Sequence, residues 1–170
     1  YDALSRGQLS HASPTMFNAG TPTPDLASCY LPHLPGDGDS IDSIYSLLKS
    51  TALISKGGGG VGFNVTTIRG TGTLIKGNGG RSNGIVPVLK CFETTAQYVD
   101  QGNKRPAAFA VYIEPWHVDI MDFLQLRLKT GAAARRTHDL NTALWIPDIF
   151  MRRAQTDGHW TVMCPDECPG

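Results

Sequence analysis

Apolar residues recur at helical spacing over residues 41–56. Ile41, Ile44, Tyr45, Leu48 and Ala52 make one face, and Leu47 and Ile54 widen it. Asp39 or Ser40 is a good N-cap, Asp42 adds negative charge to the first turn, and Lys56 places a cation near the last. Gly57 to Gly60 then stop the helix. Residues 60–65 alternate, with Val61, Phe63 and Val65 on one side, and predict a short strand. A second helix is expected over 85–99, with Pro87 tolerated in its first turn and Ile85, Val88, Leu89, Phe92 and Ala96 on its apolar face. Residues 108–113 are nearly continuous in apolar character and predict a strand buried on both faces. Then come a helix over 118–128 (Ile120, Phe123 and Leu124 inward), a strand over 142–146, a helix from Pro147 to near Arg153, and a strand over 160–163. Helices and strands in alternation predict parallel strands with helical crossovers, an α/β layer or barrel.

Three stretches break these periods. Ser13 to Cys29 carries Pro14, Pro22 and Pro24, an Asn-Ala-Gly turn signal and many small hydroxyl residues. It predicts an extended, irregular strand-and-loop ending in Ser28-Cys29, with hydroxyls and a thiol suited to a phosphate and a redox step. An ordinary surface loop with a buried Cys is the other reading. Residues 69–84 are rich in Gly, Asn, Ser and Thr and predict an ordered but mobile loop. Residues 100–106 predict a short polar loop at the other end of the second helix. Both loops set Arg or Lys beside Gly, a common way to build an adaptable anion site.

Composition narrows the classes. The 170 residues suffice for one domain with a real core. Net charge is zero, so nothing favours electrostatic capture by nucleic acid or membrane. No apolar run approaches the roughly 20 residues of a membrane span, and no signal-peptide pattern is present. The four cysteines, Cys29, Cys91, Cys164 and Cys168, are widely spread and do not form a secreted disulfide pattern. A reducing cytosol is the expected compartment.

Single motifs carry less. The run 57–64 (GGGGVGFN) lacks the Gly-Lys-Ser/Thr ending of a phosphate loop and the Gly-x-Gly-x-x-Gly order of a dinucleotide fold. Close backbone packing at a helix-to-strand corner explains it at least as well as ligand contact. His117 has a base or metal-ligand reading and a structural one, and the structural one is favoured. Cys164-x-x-x-Cys168 with His159 nearby is too loose for zinc without a second ligand pair, and no metal site is assigned.

Together the motifs are specific. SPTMFNAGTPTPDLASC, DSI-x2-IY, ALISKGGGGVG, IRGTGT, SNGIVPVLK, YVDQGNKRP, YIEPWHVDIMDFL and ALWIPDIFM-x-R closely resemble, in order from about residue 9 to residue 170, the large (α) subunit of class I ribonucleotide reductase. The resemblance implies the first part of a ten-stranded α/β barrel. It also implies reduction of ribonucleoside diphosphates to 2′-deoxyribonucleoside diphosphates by a thiyl-radical mechanism. Cys29 matches the first Cys of the redox pair, and Ser13 and Ser28 match substrate contacts. Asp39, Ser40, Ile41, Lys56, Arg69, Lys76 and Gly77 match contacts to a regulatory dNTP or ATP. Asp100, Gln101 and Arg105 match the loop that reports effector identity to the substrate. The implied partners are a second large subunit, with the effector site at their interface, a small metal-containing subunit that supplies the radical, and thioredoxin or glutaredoxin. No cofactor is expected on this chain itself.

The sequence departs from the family in places. Gly102 stands single where many relatives have Gly-Gly, and Ala107 stands where Gly is common, so a stiffer loop with altered effector pairing is expected. The Asn-x-Cys-x-Glu of the radical Cys, the second redox Cys, the tail Cys pair and the ATP cone are not found within residues 1–170. The expectation is a piece of the large subunit, inactive alone. A non-catalytic dNTP-binding module and another radical enzyme of the same barrel kind are the alternatives.

Overall fold

Four parallel strands, each hydrogen-bonded to the next in chain order, form the centre of the computed structural model. It describes all residues except Thr23, Asp37, Asn78, 100–106 and 169–170. In chain order the elements are α1 (Asp2–Ser5), α2 (Ser13–Asn18), β1 (Cys29–Tyr30), α3 (Ile41–Lys56), β2 (Gly60–Asn64), α4 (Ile85–Tyr98), β3 (Phe109–Ile113), α5 (Ile120–Leu124), β4 (Leu140–Leu144) and α6 (Asp148–Gln155). Strand neighbours are also sequence neighbours, so each crossover advances the sheet by one strand. That is the winding of an open or closing α/β barrel and meets the parallel α/β expectation.

Register divides the sheet into two faces. Val61, Phe109 and Leu140 are aligned across β2, β3 and β4, and Ile113 lies beside Leu144. These side chains, with Phe63 and Val111, pack against Leu47 of α3 and against Ile85, Leu89 and Phe92 of α4. The Phe63 and Phe92 rings stand 4.4 Å apart. Truncating a fully buried ring such as Phe92 to Ala costs about 3–5 kcal/mol. By the two-residue alternation of strands, the opposite face carries Cys29, Gly60, Gly62, Asn64, Ala110, Tyr112, Asn141 and Ala143. Strand β3 is therefore buried on alternate residues, not on both faces as its apolar run predicts.

Helix α3 begins and ends where expected. Ser40 accepts from the N–H of Ser43 at 3.1 Å, Asp42 lies in the first turn, Lys56 in the last, and Gly57 follows. Ile44, Leu48, Leu47 and Ile54 pack against the core as expected, but the helix is rotated partly away from the rest of the apolar pattern. The buried stripe is Ser43, Leu47, Thr51 and Ser55, whereas Ile41 is 76% and Tyr45 57% exposed. The small polar side chains approach closely because two satisfy themselves locally: Ser43 Oγ donates to Pro35 O, and Thr51 Oγ1 to Leu48 O.

Other elements shift. Residues 13–18 form a helix instead of the expected extended chain, because Pro14 sits in the first turn, where its fixed φ suits a helix and its missing N–H is not needed. The turn after it stands, with Gly20 at φ +78°. The helix predicted over 118–128 is regular only over α5 and continues as i→i+3 turns through Leu128. Strand β4 begins two residues earlier than predicted. The strand expected at 160–163 reduces to one parallel bridge between His117 and Met163.

Candidate functional site

Helix α3 runs 16 residues, about 24 Å, and the predicted site residues fall at its two ends. At its C-terminal end lies the thiol. Cys29 is exposed on the open face and paired in register with Gly60, whose N–H donates to Ser28 O at 2.8 Å. Strand β1 is only two residues long and lies at the sheet edge, so ladder bonds alone hold it poorly. Side chains supply the rest. Thr15 Oγ1 donates to Leu26 O at 3.1 Å, and Asn18 Nδ2 donates to Asp25 O at 2.6 Å and Gly57 O at 3.1 Å. Tyr30 Oη donates to Asp25 Oδ1. This bond first, then desolvation and the nearby negative charge, raises the Tyr30 pKa above its ordinary 10.0. Helix α2, which begins with Ser13, and the Ser28-Cys29 segment thus dock together on the end of α3.

The glycine run explains the docking. A Cβ on Gly57 would lie 2.6 Å from Asp25 Oδ2, and one on Gly59 2.7 Å from the Tyr30 ring. Close packing at this corner is what the run provides.

At the N-terminal end of α3, Asp39, Ser40, Ile41 and Arg69 come together. Arg69 donates from its backbone N–H to Asp39 Oδ1 at 2.8 Å, from Nε to Asp39 Oδ2 at 2.6 Å and from Nη1 to Leu74 O at 3.1 Å. Leu74 pairs with Arg81 in an antiparallel bridge. Gly77, at φ +100°, and Lys76 lie between them, and the exposed Lys76 ammonium bonds Asp166 at 3.3 Å. Lys56 is the exception: it stands at the far end of α3, on the Cys29 side, and within one chain it cannot share a small ligand with Ser40. Asp100, Gln101 and Arg105 lie outside the described residues.

His117 is fully buried, with Nε2 at 2.7 Å from Ile68 O and Nδ1 accepting from Asp119 N at 3.0 Å. Both nitrogens are occupied within the fold, which is a structural role and excludes the base and metal-ligand readings. Asp119 in turn accepts from the N–H groups of Thr71 and Ile85, closing the loop 69–84 onto the start of α4. Cys164 is buried, 3.4 Å from Gly70 N and 3.1 Å from Thr73 Oγ1. Among the described residues no three metal-ligating side chains cluster.

A cavity of about 520 Å³ opens at the C-terminal ends of the strands, lined in part by Leu31, Asn64, Thr67, Tyr112 and Trp145. Ligands in parallel α/β folds bind at these ends. Asn64 Oδ1 is fixed by Thr66 N–H and hydroxyl donors at 2.7 and 2.5 Å. Cys29 shares the open face but does not line the cavity. Asn18, Asp25, Tyr30 and Asp119 escaped the sequence reading. The one available signal was Tyr30, whose alternation with Cys29 puts it on the opposite face of β1.

The fold is a parallel α/β sheet, helix-covered on one face and bearing an exposed thiol on the other. The model of the family described as ribonucleotide reductase, barrel domain, matches residues 27–170. The whole chain aligns with the ribonucleoside-diphosphate reductase large chain of Neurospora crassa at 56% identity, covering 18% of that protein. It aligns over its whole length with the large subunits of Danio rerio at 56% and Vaccinia virus at 53%, covering 21% and 22% of them. The chain spans about a fifth of the length of these relatives. It belongs to the ribonucleotide reductase barrel-domain family, and its four-stranded sheet is consistent with the first part of that barrel. No helix among the described residues is long and apolar enough to cross a membrane.

Proposed function

We propose that this chain is part of a large subunit that reduces ribonucleoside diphosphates to 2′-deoxyribonucleoside diphosphates. The observation that carries this is an exposed Cys29 on the open face of a parallel sheet, in a chain belonging to the reductase barrel family. A thiyl radical from another Cys of the subunit removes the 3′-hydrogen of the ribose. Cys29 donates a proton to the departing 2′-hydroxyl, which leaves as water. Cys29 and a second Cys then form a disulfide, so two thiols supply the two electrons and two protons that replace C–OH by C–H and release water. Ser13 and Ser28 hold the substrate, with Ser13 toward the diphosphate. Thioredoxin or glutaredoxin restores the thiols, and a metal-containing small subunit supplies the radical. The protein works in the cytoplasm.

Asp39, Ser40, Ile41, Arg69, Lys76 and Gly77 bind a regulatory dNTP or ATP, and Asp100, Gln101 and Arg105 pass its identity to the substrate site. The clustering of Asp39, Ser40 and Arg69 supports the first part. Lys56 joins that site only from a second copy of the chain. The outward apolar face with Ile41 and Tyr45 supports pairing of two large subunits along α3.

The test is Cys29→Ser in the full-length subunit, with its small subunit. Multiple-turnover reduction is expected to vanish, and wild-type rates would overturn the assignment. The 170 residues alone are expected to show no turnover.

A further inference from the structure

We infer that Tyr30 and Asp25 form a latch that aims the Cys29 thiol, seated on the glycine corner at the end of α3. The inference rests on the redox role proposed for Cys29. Adjacent strand residues point to opposite faces, so fixing Tyr30 fixes Cys29. Tyr30 shares its face with Val61, its ring lies against Gly59, and its hydroxyl donates to Asp25. Asp25 is itself anchored: its carboxylate lies over Gly57, and its backbone carbonyl accepts from Asn18 Nδ2, which also bonds Gly57 O. The Tyr30–Asp25 bond, on the face opposite the thiol, thereby ties the edge strand to a segment that is itself docked on the end of α3, by Asp25 packed over Gly57 and by Asn18 bonded to Gly57 O. A one-residue slip of β1 would bring Tyr30 to the open face and turn Cys29 toward the helices, and the latch opposes that slip. Tyr30 and Asp25 are positioning residues; neither needs to touch substrate.

The experiment uses the full-length large subunit assembled with its radical-supplying subunit. Tyr30→Phe and Asp25→Asn are each expected to lower kcat by about tenfold or more, since small misplacements of a reacting group are costly. KM for the diphosphate and dNTP affinity should stay within about twofold of wild type. The double variant should be no slower than either single one, because both remove the same bond. Gly59→Ala, which pushes on the Tyr30 ring from below, is expected to give the same kcat-selective loss. Wild-type kcat in both single variants, or losses that multiply in the double variant, overturns the latch. So does a joint loss of substrate affinity, effector affinity and thermal stability, which would make the pair a general stabiliser. Cys29→Ser separates the two levels. If it is inactive while Tyr30→Phe and Asp25→Asn are normal, only the latch fails. If it turns over repeatedly, the redox reading of Cys29 fails and the latch with it.

Discussion

Arg69 holds Asp39 at two points, backbone N–H to Oδ1 and Nε to Oδ2, across 30 positions of sequence. The pair joins the start of α3 to the chain leaving β2, and both side chains are largely shielded, 19% and 12% exposed. A shielded, charge-assisted pair contributes more than a surface one. Asp39→Ala and Arg69→Ala should each destabilise the region by about 1–3 kcal/mol, and the double variant by about 1 kcal/mol or more below their sum. Amide hydrogen exchange at the first turn of α3 reads this in the full-length protein. Strict additivity would show that the two residues act independently.

Ser40→Ala removes the oxygen that receives the Ser43 N–H and should cost about 1 kcal/mol. Ser40→Asp keeps an acceptor for the Ser43 N–H and complements the helix dipole, but it cannot donate to Ser43 Oγ as Ser40 does at 2.9 Å, so it should restore part of the loss. Faster exchange of the Ser43 amide in Ser40→Ala, partly reversed in Ser40→Asp, is the expected result. Equal rates in all three proteins would mean the cap contributes nothing.

Gly84 stands at φ +72°, and a Cβ there would strike Thr71 Oγ1 and Asp119 Oδ2 and lie 2.9 Å from Thr71 N. Gly84→Ala should destabilise by about 3 kcal/mol or more. Asp119→Ala leaves the N–H groups of Thr71 and Ile85 without their acceptor and should cost about 2–4 kcal/mol. Thermal unfolding of the full-length variants should shift down in both cases, and an unchanged midpoint in either would remove Asp119 from its place as the joint of loop and helix.

The Tyr30 hydroxyl titrates above its ordinary value, because ionising it would break the bond to Asp25 and set two negative charges side by side. The folded state thus holds this proton more tightly than the unfolded chain. The stabilisation is fully present below the unfolded value of 10.0 and is lost as pH rises through the higher folded value. Ultraviolet titration near pH 10 should show one tyrosine ionising late, and Tyr30→Phe should delete that step. A late step that survives in Tyr30→Phe belongs to another residue.

Much of the fold is legible in the residues. The bounds of α3, β2 and α4 follow from caps, glycines and period, which are local causes, and the parallel sheet follows from their alternation. The structural role of His117 is legible for a different reason, that a lone buried His usually finds partners inside the fold, although its Ile68 O partner lies 49 positions away. The site is less legible. The Asp39–Arg69 pair joins two residues that the family resemblance named, but nothing in their spacing shows that they touch.

By itself the sequence determined the bounds of α3, β2 and α4, since caps, glycines and period act within a turn or two. It determined the family too, through long motifs in a fixed order. Only the tertiary structure decided which face of α3 turns inward. Period marks Ile41, Ile44, Tyr45 and Leu48 as one face; Ile44 and Leu48 do pack against the core, but Ile41 and Tyr45 turn outward and the fully buried stripe is Ser43, Leu47, Thr51 and Ser55. It also decided the seat of Cys29. Asn18, Asp25 and Tyr30 meet Gly57 and Gly59 from up to 39 positions away, at a corner where only a glycine leaves room. Contacts of that kind depend on what the folded chain brings near, and no local pattern of side chains encodes them.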